Sequence, residues 1–200
     1  MPKHTAKGSH KDRYYEDNAM SQTDVKNAMM KIITGIQENP SSSKVFFRAA
    51  TQWEEDVRCT AQVRDFPPMV IDEPPVLGGQ DAGQNPVELV LVALGTCQEI
   101  MYSAYASVMG VEIDSVKVNV KGNLDLKGMF GLDETVPAGF TDVSFQTAIE
   151  SSADDEALLK LIEAAESNCP VLDILTRKVP VDGTVSINGR DMNSLIKKSV

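Results

Sequence analysis

The chain has 200 residues, 42% hydrophobic and 24% charged, which is the composition of a globular protein with one core. Its formal net charge of −10 argues against nucleic acid and anionic membranes as partners, because phosphates need a basic face. Three cysteines and no visible apolar signal segment predict a cytoplasmic, reducing location, where any disulfide is catalytic or transient.

The first forty residues predict an arm followed by a helix. Residues 1–19 are polar and charged, which is typical of a disordered arm. Residues 20–40 predict a helical extension that ends at Asn39-Pro40. Its apolar stripe must pack on the main body or on a partner subunit. The stripe consists of Val25, Met29, Ile32, Ile33 and Ile36.

Three strands and a glycine-rich loop follow. Residues 45–51 and 57–63 predict a hairpin around a turn at residues 53–56, and residues 69–71 predict a third strand. The loop LGGQDAGQ at residues 77–84 then leads into a long helix. It has neither a P-loop lysine nor the Rossmann glycine spacing, so it does not predict phosphate binding.

The long helix has a clear start. Asn85 is a good N-cap, Pro86 suits the first helical position, and Glu88 falls where a capping box needs an acid. Residues 89–109 are apolar nearly all round, yet Gln98 and Glu99 at the centre favour a buried helix over a membrane span. Because a small sheet cannot cover such a helix on all sides, we expect a dimer that shares it.

The second half of the chain predicts strands around a second helix. Residues 111–126 and 140–149 alternate with period two, as strands do. Residues 153–167 predict a helix, followed by a short one at 171–176 and a last strand at 179–187. The resulting class is α+β, with antiparallel sheet packed on two helices. The second helix has a capping box of Ser152 and Asp155, and its core face carries Leu158, Leu161, Ile162 and Ala165.

Two cysteines carry the predicted chemistry. Cys97 lies inside the long helix, where burial raises a thiol pKa and helix-terminal amides do not reach, so activation needs a cation such as arginine. Cys169 opens the segment CPVLDIL, where unpaired helix amides stabilise a thiolate. The pair suits a peroxide-reducing and a resolving thiol if the fold brings them together; otherwise both are packing residues. Cys59 has no assigned role.

Histidine chemistry is not expected. His4 and His10 are the only histidines, and both lie in the predicted arm. Ser-His-Asp and Cys-His mechanisms and a histidine-based zinc site are therefore not predicted. We expect neither a metal nor an organic cofactor.

The segments DEPPVLGGQDAGQNPVELVLVALGTCQEI at 72–100 and CPVLDIL at 169–175 resemble the OsmC/Ohr family, named for osmotically inducible protein C and organic hydroperoxide resistance. The resemblance covers residues 45–188, as an OsmC-like domain, and leaves a tail at 189–200. It implies an intertwined homodimer with antiparallel sheets wrapped around two central helices. It also implies active sites at the subunit interface, with Cys97 peroxidatic and Cys169 resolving.

In this family a buried arginine activates the thiolate and a glutamate orients the arginine. The candidate arginines are Arg48, Arg58 and Arg64, and we favour Arg64 because it precedes the third strand. In hydroperoxide-resistance members the glutamate directly follows Asn-Pro. Here that position is Val87 and the acid is Glu88, about 100° further round the helix. The chain thus resembles a less characterised branch of the family.

The expected function is a cytoplasmic, cofactor-free thiol peroxidase that reduces organic hydroperoxides in the oxidative stress response, with a dithiol as reductant. Two alternatives remain. One is a non-catalytic binding protein whose dimer pocket holds a small apolar or thiol-bearing ligand. The other is a structural or partner-binding protein that uses the N-terminal helix.

Overall fold

The computed structural model describes residues 21–193. The predicted arm at residues 1–19 and the end of the predicted tail, from residue 194, lie outside the described residues. Within them, helices and antiparallel sheets form the expected α+β fold. The helices are α1 Gln22–Glu38, α2 Pro86–Met109, α3 Leu126–Met129, α4 Asp155–Ser167 and α5 Pro170–Thr176, with short 3-10 turns at Pro40–Ser43 and Pro75–Leu77. The strands are β1 Ala50–Glu55, β2 Arg58–Gln62, β3 Met69–Ile71, β4 Ser115–Leu124, β5 Phe140–Glu150, β6 Ser186–Ile187 and β7 Arg190–Asp191.

The first sheet has the order β1-β2-β3 and is antiparallel throughout. The turn predicted at residues 53–56 is wrong, because Trp53 and the two glutamates after it belong to β1. The chain reverses instead at Asp56, which takes a left-handed φ of 46° and accepts a 2.9 Å hydrogen bond from the Trp53 indole. The acidic run fits a strand here because β1 is exposed along its whole length.

Helix α2 is the central element and begins as predicted. The Glu88 amide donates to the Asn85 side chain (2.8 Å) and the Asn85 amide donates to the Glu88 carboxylate (2.9 Å), which completes the capping box. Gly110 ends the helix with a φ of 73°. The helix is long and apolar enough to cross a membrane, a property it shares with core helices of soluble proteins. Here it packs against β4, α4, α5 and α1.

The core lies between α2, α4 and the β4-β5 hairpin. Strands β4 and β5 pair over their whole length, from Ser115 opposite Glu150 to Leu124 opposite Phe140. The alternating exposure of their side chains confirms the predicted period of two. Glu99 faces this hairpin from α2, where its carboxylate accepts a 3.1 Å hydrogen bond from the Val118 amide. The buried cluster consists of Tyr102, Ala106, Val111, Leu161 and Ala165.

The start of α4 differs from the prediction. Its N-cap is Asp154, whose carboxylate accepts a 2.8 Å hydrogen bond from the Ala157 amide, so the capping box of Ser152 and Asp155 is wrong. The Ser151 hydroxyl instead accepts a 3.0 Å hydrogen bond from the Ala153 amide. The chain therefore turns just before the helix begins. The predicted core face is confirmed, with Leu161 and Ala165 buried.

The last predicted strand, residues 179–187, is wrong for most of its length. Only Ser186–Ile187 is extended and paired, with Arg190–Asp191 in a small hairpin that turns at Asn188 and Gly189. Both turn residues have positive φ, 52° and 78°, the pattern of a tight Asn-Gly turn. A strand needs a neighbour for its backbone hydrogen bonds, and the hairpin supplies one only for the last residues of the predicted strand, from Val185 to Ile187. It also gives the start of the predicted tail a defined structure.

Candidate thiol site

Two helices place the two cysteines side by side. Cys97 is half-buried in the middle of α2, and Cys169 is buried as the N-cap residue of α5. The Cys97 thiol interacts with the Cys169 thiol and with the backbone N–H of Val171. The fold therefore brings together the two thiols that the sequence singled out.

The pKa of Cys97 is raised from its usual value of 9.0, first by burial and then by the neighbouring Cys169 thiol. The Val171 N–H opposes this rise, since an amide hydrogen stabilises a thiolate. The prediction that helix-terminal amides do not reach Cys97 is wrong, because the amide comes from the first turn of α5 and not from α2. Cys169, although it is the N-cap residue, accepts no capping hydrogen bond through its side chain.

Arg64 does not reach the thiols within one chain. It is exposed in the loop after β2, has a φ of 49°, and lies over the Phe66 ring at 4.5 Å. None of the residues 21–193 places a positive charge where it shifts the pKa of Cys97. Of the other candidates, Arg58 pairs with Glu55, and Arg48 lies 4.8 Å over the Phe46 ring.

Glu88 is exposed at the start of α2, where its carboxylate closes the capping box. One chain thus unites Cys97 with Cys169 but brings neither Arg64 nor Glu88 to them. The catalytic roles of Arg64 and Glu88 stay predictions about an interface between chains.

An apolar groove of about 360 Å³ lies between α2, β5 and α5. Leu94, one turn before Cys97, contributes one wall, and Leu172, next to Val171, contributes the opposite wall. The groove therefore adjoins the elements that carry both thiols. Its other lining residues are Phe140, Thr141, Asp142, Val143, Phe145, Leu175 and Thr176.

A buried carboxylate that the sequence reasoning missed supports the glycine-rich loop. Asp72 is 2% exposed and accepts hydrogen bonds from the amides of Glu73, Gln80 and Ala82, at 2.9 to 3.1 Å. It thus holds the loop that delivers the chain to Asn85. An aspartate next to a turn-rich segment was the available signal, because its side chain competes for local backbone amides.

The sequence reasoning also missed Tyr102. This residue is fully buried, and its hydroxyl donates a 2.9 Å hydrogen bond to the Glu166 carboxylate on α4. A tyrosine inside an apolar helix indicates a partner for its hydroxyl, but not which one. Among residues 21–193, no group of three or more His, Cys, Asp or Glu side chains is placed to hold a metal ion.

Residues 78–183, more than half of the chain, match the sequence pattern of the family described as OsmC-like protein. The chain belongs to the OsmC-like protein family. The glycine-rich loop, α2 with Cys97, and α5 with Cys169 all lie within the matched residues. Among curated proteins, none matches this chain.

Solved OsmC structures share the fold. An OsmC-like protein from Mycoplasma pneumoniae is 19% identical, with a TM-score of 0.56, over 66% of this chain and 88% of that one. An organic hydroperoxide resistance protein OsmC from Legionella pneumophila is 18% identical, with a TM-score of 0.51, over 66% and 92%. An OsmC-like protein from Vibrio cholerae is 15% identical, with a TM-score of 0.52, over 65% and 93%. The structural similarity, with TM-scores above 0.5, shows that this chain has the OsmC fold.

Proposed function

We propose that this OsmC-like protein is a thiol peroxidase that reduces organic hydroperoxides, with Cys97 as the peroxidatic and Cys169 as the resolving cysteine. The observation that carries the proposal is the proximity of the two thiols, which come from separate helices. Two thiols that lie close enough to influence each other's titration need no large rearrangement to form a disulfide.

The chemistry balances without a metal or an organic cofactor. The Cys97 thiolate attacks the terminal peroxide oxygen and the O–O bond breaks, so Cys97 becomes a sulfenic acid. The alkoxide takes up the proton that Cys97 released and leaves as an alcohol. The Cys169 thiol then attacks the Cys97 sulfur, so a disulfide forms and water leaves with the thiol proton. An external dithiol returns both cysteines to thiols by exchange. We place this cycle in a reducing cytoplasm, where the disulfide would be transient.

The apolar groove supports an organic substrate. Leucine, valine and phenylalanine side chains dominate its lining, so an alkyl chain gains from leaving water there, whereas hydrogen peroxide gains little. The groove lies between the two elements that carry the thiols, which suits a peroxide group that points at Cys97.

Activation of Cys97 requires a cation, because burial raises its pKa and the Val171 amide only partly opposes this. We propose that a homodimer supplies it. Arg64 remains the favoured arginine because it is exposed and, among residues 21–193, its guanidinium contacts only an aromatic ring, whereas Arg58 is already paired with Glu55. Glu88 would orient this arginine from an exposed position while it keeps its bond to Asn85.

Thiol counting tests the proposal. Reduced protein titrated with cumene hydroperoxide should lose two thiols per chain, and mass spectrometry should show a Cys97–Cys169 disulfide. Cys97→Ser should abolish the loss, and Cys169→Ser should stop the reaction at a Cys97 sulfenic acid. Cys59→Ser is the matched control and should leave the disulfide unchanged. Retention of all three thiols in the wild-type protein would contradict the proposal.

A non-catalytic binding protein is the second candidate. The raised pKa of Cys97 favours it, since a protonated thiol in an apolar setting is a poor nucleophile. The groove would then hold a small apolar ligand. Native mass spectrometry that shows a co-purified ligand, together with no peroxide turnover, would support this candidate over the peroxidase.

A further inference from the structure

Helix α2 and helix α4 are joined by a part-buried hydrogen bond between side chains. The hydroxyl of Tyr102, which is 0% exposed, donates to Glu166 Oε1 at 2.9 Å. Burial and the neighbouring Glu166 carboxylate both raise the pKa of Tyr102, so the hydroxyl stays protonated and remains a donor. Because Tyr102 and Glu166 are far apart in the sequence, their hydrogen bond depends on how the two helices pack.

Glu166 is also bonded to the backbone at Cys169. Its carbonyl oxygen accepts the Cys169 amide at 3.2 Å, just beyond the end of α4. Two hydrogen bonds thus lead from the Tyr102 hydroxyl to the main chain of the resolving cysteine. Cys169 also contributes to the raised pKa of Tyr102, so its thiol lies within electrostatic range of the Tyr102 hydroxyl.

We propose that Tyr102 and Glu166 are positioning residues that hold Cys169 against Cys97 for disulfide formation. This inference rests on the proposed peroxidase function and assigns the two residues to its second step. Cys169 sits in a link between two helices, where a small rotation would move its sulfur away from Cys97. Because Cys97 and Tyr102 belong to the same helix, the bond to Glu166 ties the backbone around Cys169 to the element that carries its target.

The bond contributes to alignment and not to the reaction with peroxide. Neither Tyr102 nor Glu166 lines the apolar groove. Its loss should therefore slow the attack of Cys169 on the Cys97 sulfenic acid and leave sulfenic acid formation unchanged.

The test compares Tyr102→Phe with Tyr105→Phe, which makes the same chemical change on the same helix. Tyr105 packs beside the core, and its hydroxyl forms no hydrogen bond with any residue from 21 to 193. Stopped-flow mixing with cumene hydroperoxide, with dimedone as a sulfenic acid trap, separates the two steps. In Tyr102→Phe, we expect disulfide formation to slow by about tenfold, the size of one lost hydrogen bond, with an unchanged first step. Tyr105→Phe should match the wild type.

Two variants of Glu166 test the same hydrogen bond from the acceptor side. Glu166→Gln keeps an oxygen that accepts the Tyr102 hydroxyl and should stay close to the wild type. Glu166→Ala removes the acceptor and should match Tyr102→Phe. Since Glu166 is only half-buried, Glu166→Ala also tests the proposal if Tyr102→Phe fails to fold.

The equilibrium of the disulfide separates this inference from the peroxidase proposal. In a dithiothreitol redox buffer, Tyr102→Phe should make the Cys97–Cys169 potential about 30 mV more positive, the equivalent of a tenfold loss for two electrons. If the wild-type protein does not react with peroxide but Tyr102→Phe still shows this shift in potential, the peroxidase proposal is contradicted and the positioning role is retained. Wild-type rates and potentials in both Tyr102→Phe and Glu166→Ala would overturn the inference.

Discussion

Asp72 shows how one side chain determines a functional loop. Its carboxylate is buried and accepts three backbone amides, from Glu73, Gln80 and Ala82. The Ala82 amide is the largest cause of a lowered pKa for Asp72, and it outweighs the opposing effect of burial. The glycine-rich loop is thus folded around the Asp72 carboxylate. The loop amides that donate to this carboxylate are not free to bind a phosphate.

The lowered pKa predicts acid sensitivity. Because the folded-state pKa of Asp72 lies below its ordinary value of 3.8, its stabilising effect is fully present above that value and is lost as the pH falls through the folded-state pKa. Asp72→Asn replaces one of the accepting carboxylate oxygens with an NH2 group, which cannot accept a hydrogen bond from a backbone amide. The substitution should lower the melting temperature at neutral pH by about 5 °C. Melting curves should show this difference constant between about pH 5 and 7, and narrowing below about pH 4.

Asp65→Ala is the control for this prediction. Asp65 lies in an exposed turn, and its substitution should leave the melting temperature within about 1 °C of the wild-type value. A difference between the wild type and Asp72→Asn that persists unchanged at pH 3 would contradict the assigned role.

At the scale of elements, the glycine-rich loop packs too closely on β3 and its neighbours for a side chain at Gly79 or Gly83. A Cβ on Gly83 would lie 2.2 Å from the Val70 carbonyl oxygen, and one on Gly79 would lie 1.8 Å from that of Glu73. Both contacts are with backbone, which cannot rotate away. The loop needs these glycines for close approach, and neither position has a positive φ.

We therefore expect Gly83→Ala to lower the free energy of unfolding by about 2–3 kcal/mol, as overpacking does. Gly139→Ala is the matched control, since a Cβ there meets nothing within 4 Å, and its effect should stay within about 0.5 kcal/mol. Urea unfolding of both variants measures the difference. Equal stability of the two variants would show that the loop yields easily and that close approach does not constrain it.

Across the whole molecule, the first sheet leaves much apolar surface in water. Strand β1 is exposed throughout, Trp53 is 66% exposed, and Phe47 just before the strand is 93% exposed. Soluble monomers rarely expose apolar patches of this kind. The exposed loop after β2 also carries Arg64, the arginine that we propose for the thiol site. Both features agree with the proposed dimer, in which this sheet covers a second copy.

Dimer formation should bury part of Trp53, the single tryptophan of the chain, which is exposed in one subunit. Sedimentation velocity should show a dimer at micromolar concentration, with an interface of at least about 1,000 Å². The tryptophan emission should be blue-shifted relative to free tryptophan and should move to the red on dilution into monomers. A monomer at every concentration, with the emission of an exposed indole, would contradict the dimer and leave Cys97 without its cation.

Much of the secondary structure could be predicted from the sequence alone, because it depends on residues that are near neighbours in the chain. The capping box of Asn85 and Glu88, the extent of α2 and the alternation of β4 and β5 depend on contacts a few residues apart or on period, so they could be predicted. Cys97 and Cys169 could be proposed as a pair only as a hypothesis, from the two segments that resemble the OsmC/Ohr family. Local signals failed at the Asp56 turn and at the start of α4, where several polar residues compete for one role.

Only the tertiary structure decided which groups meet across the fold. The amide of Val171 at Cys97, the bond from Tyr102 to Glu166 and the loop around Asp72 join atoms whose partners depend on how helices and loops pack. Periodicity tells which face of a helix is buried, but not which residue of another element meets it. The thiol pair could therefore be proposed from the sequence, whereas its electrostatics and its alignment could not.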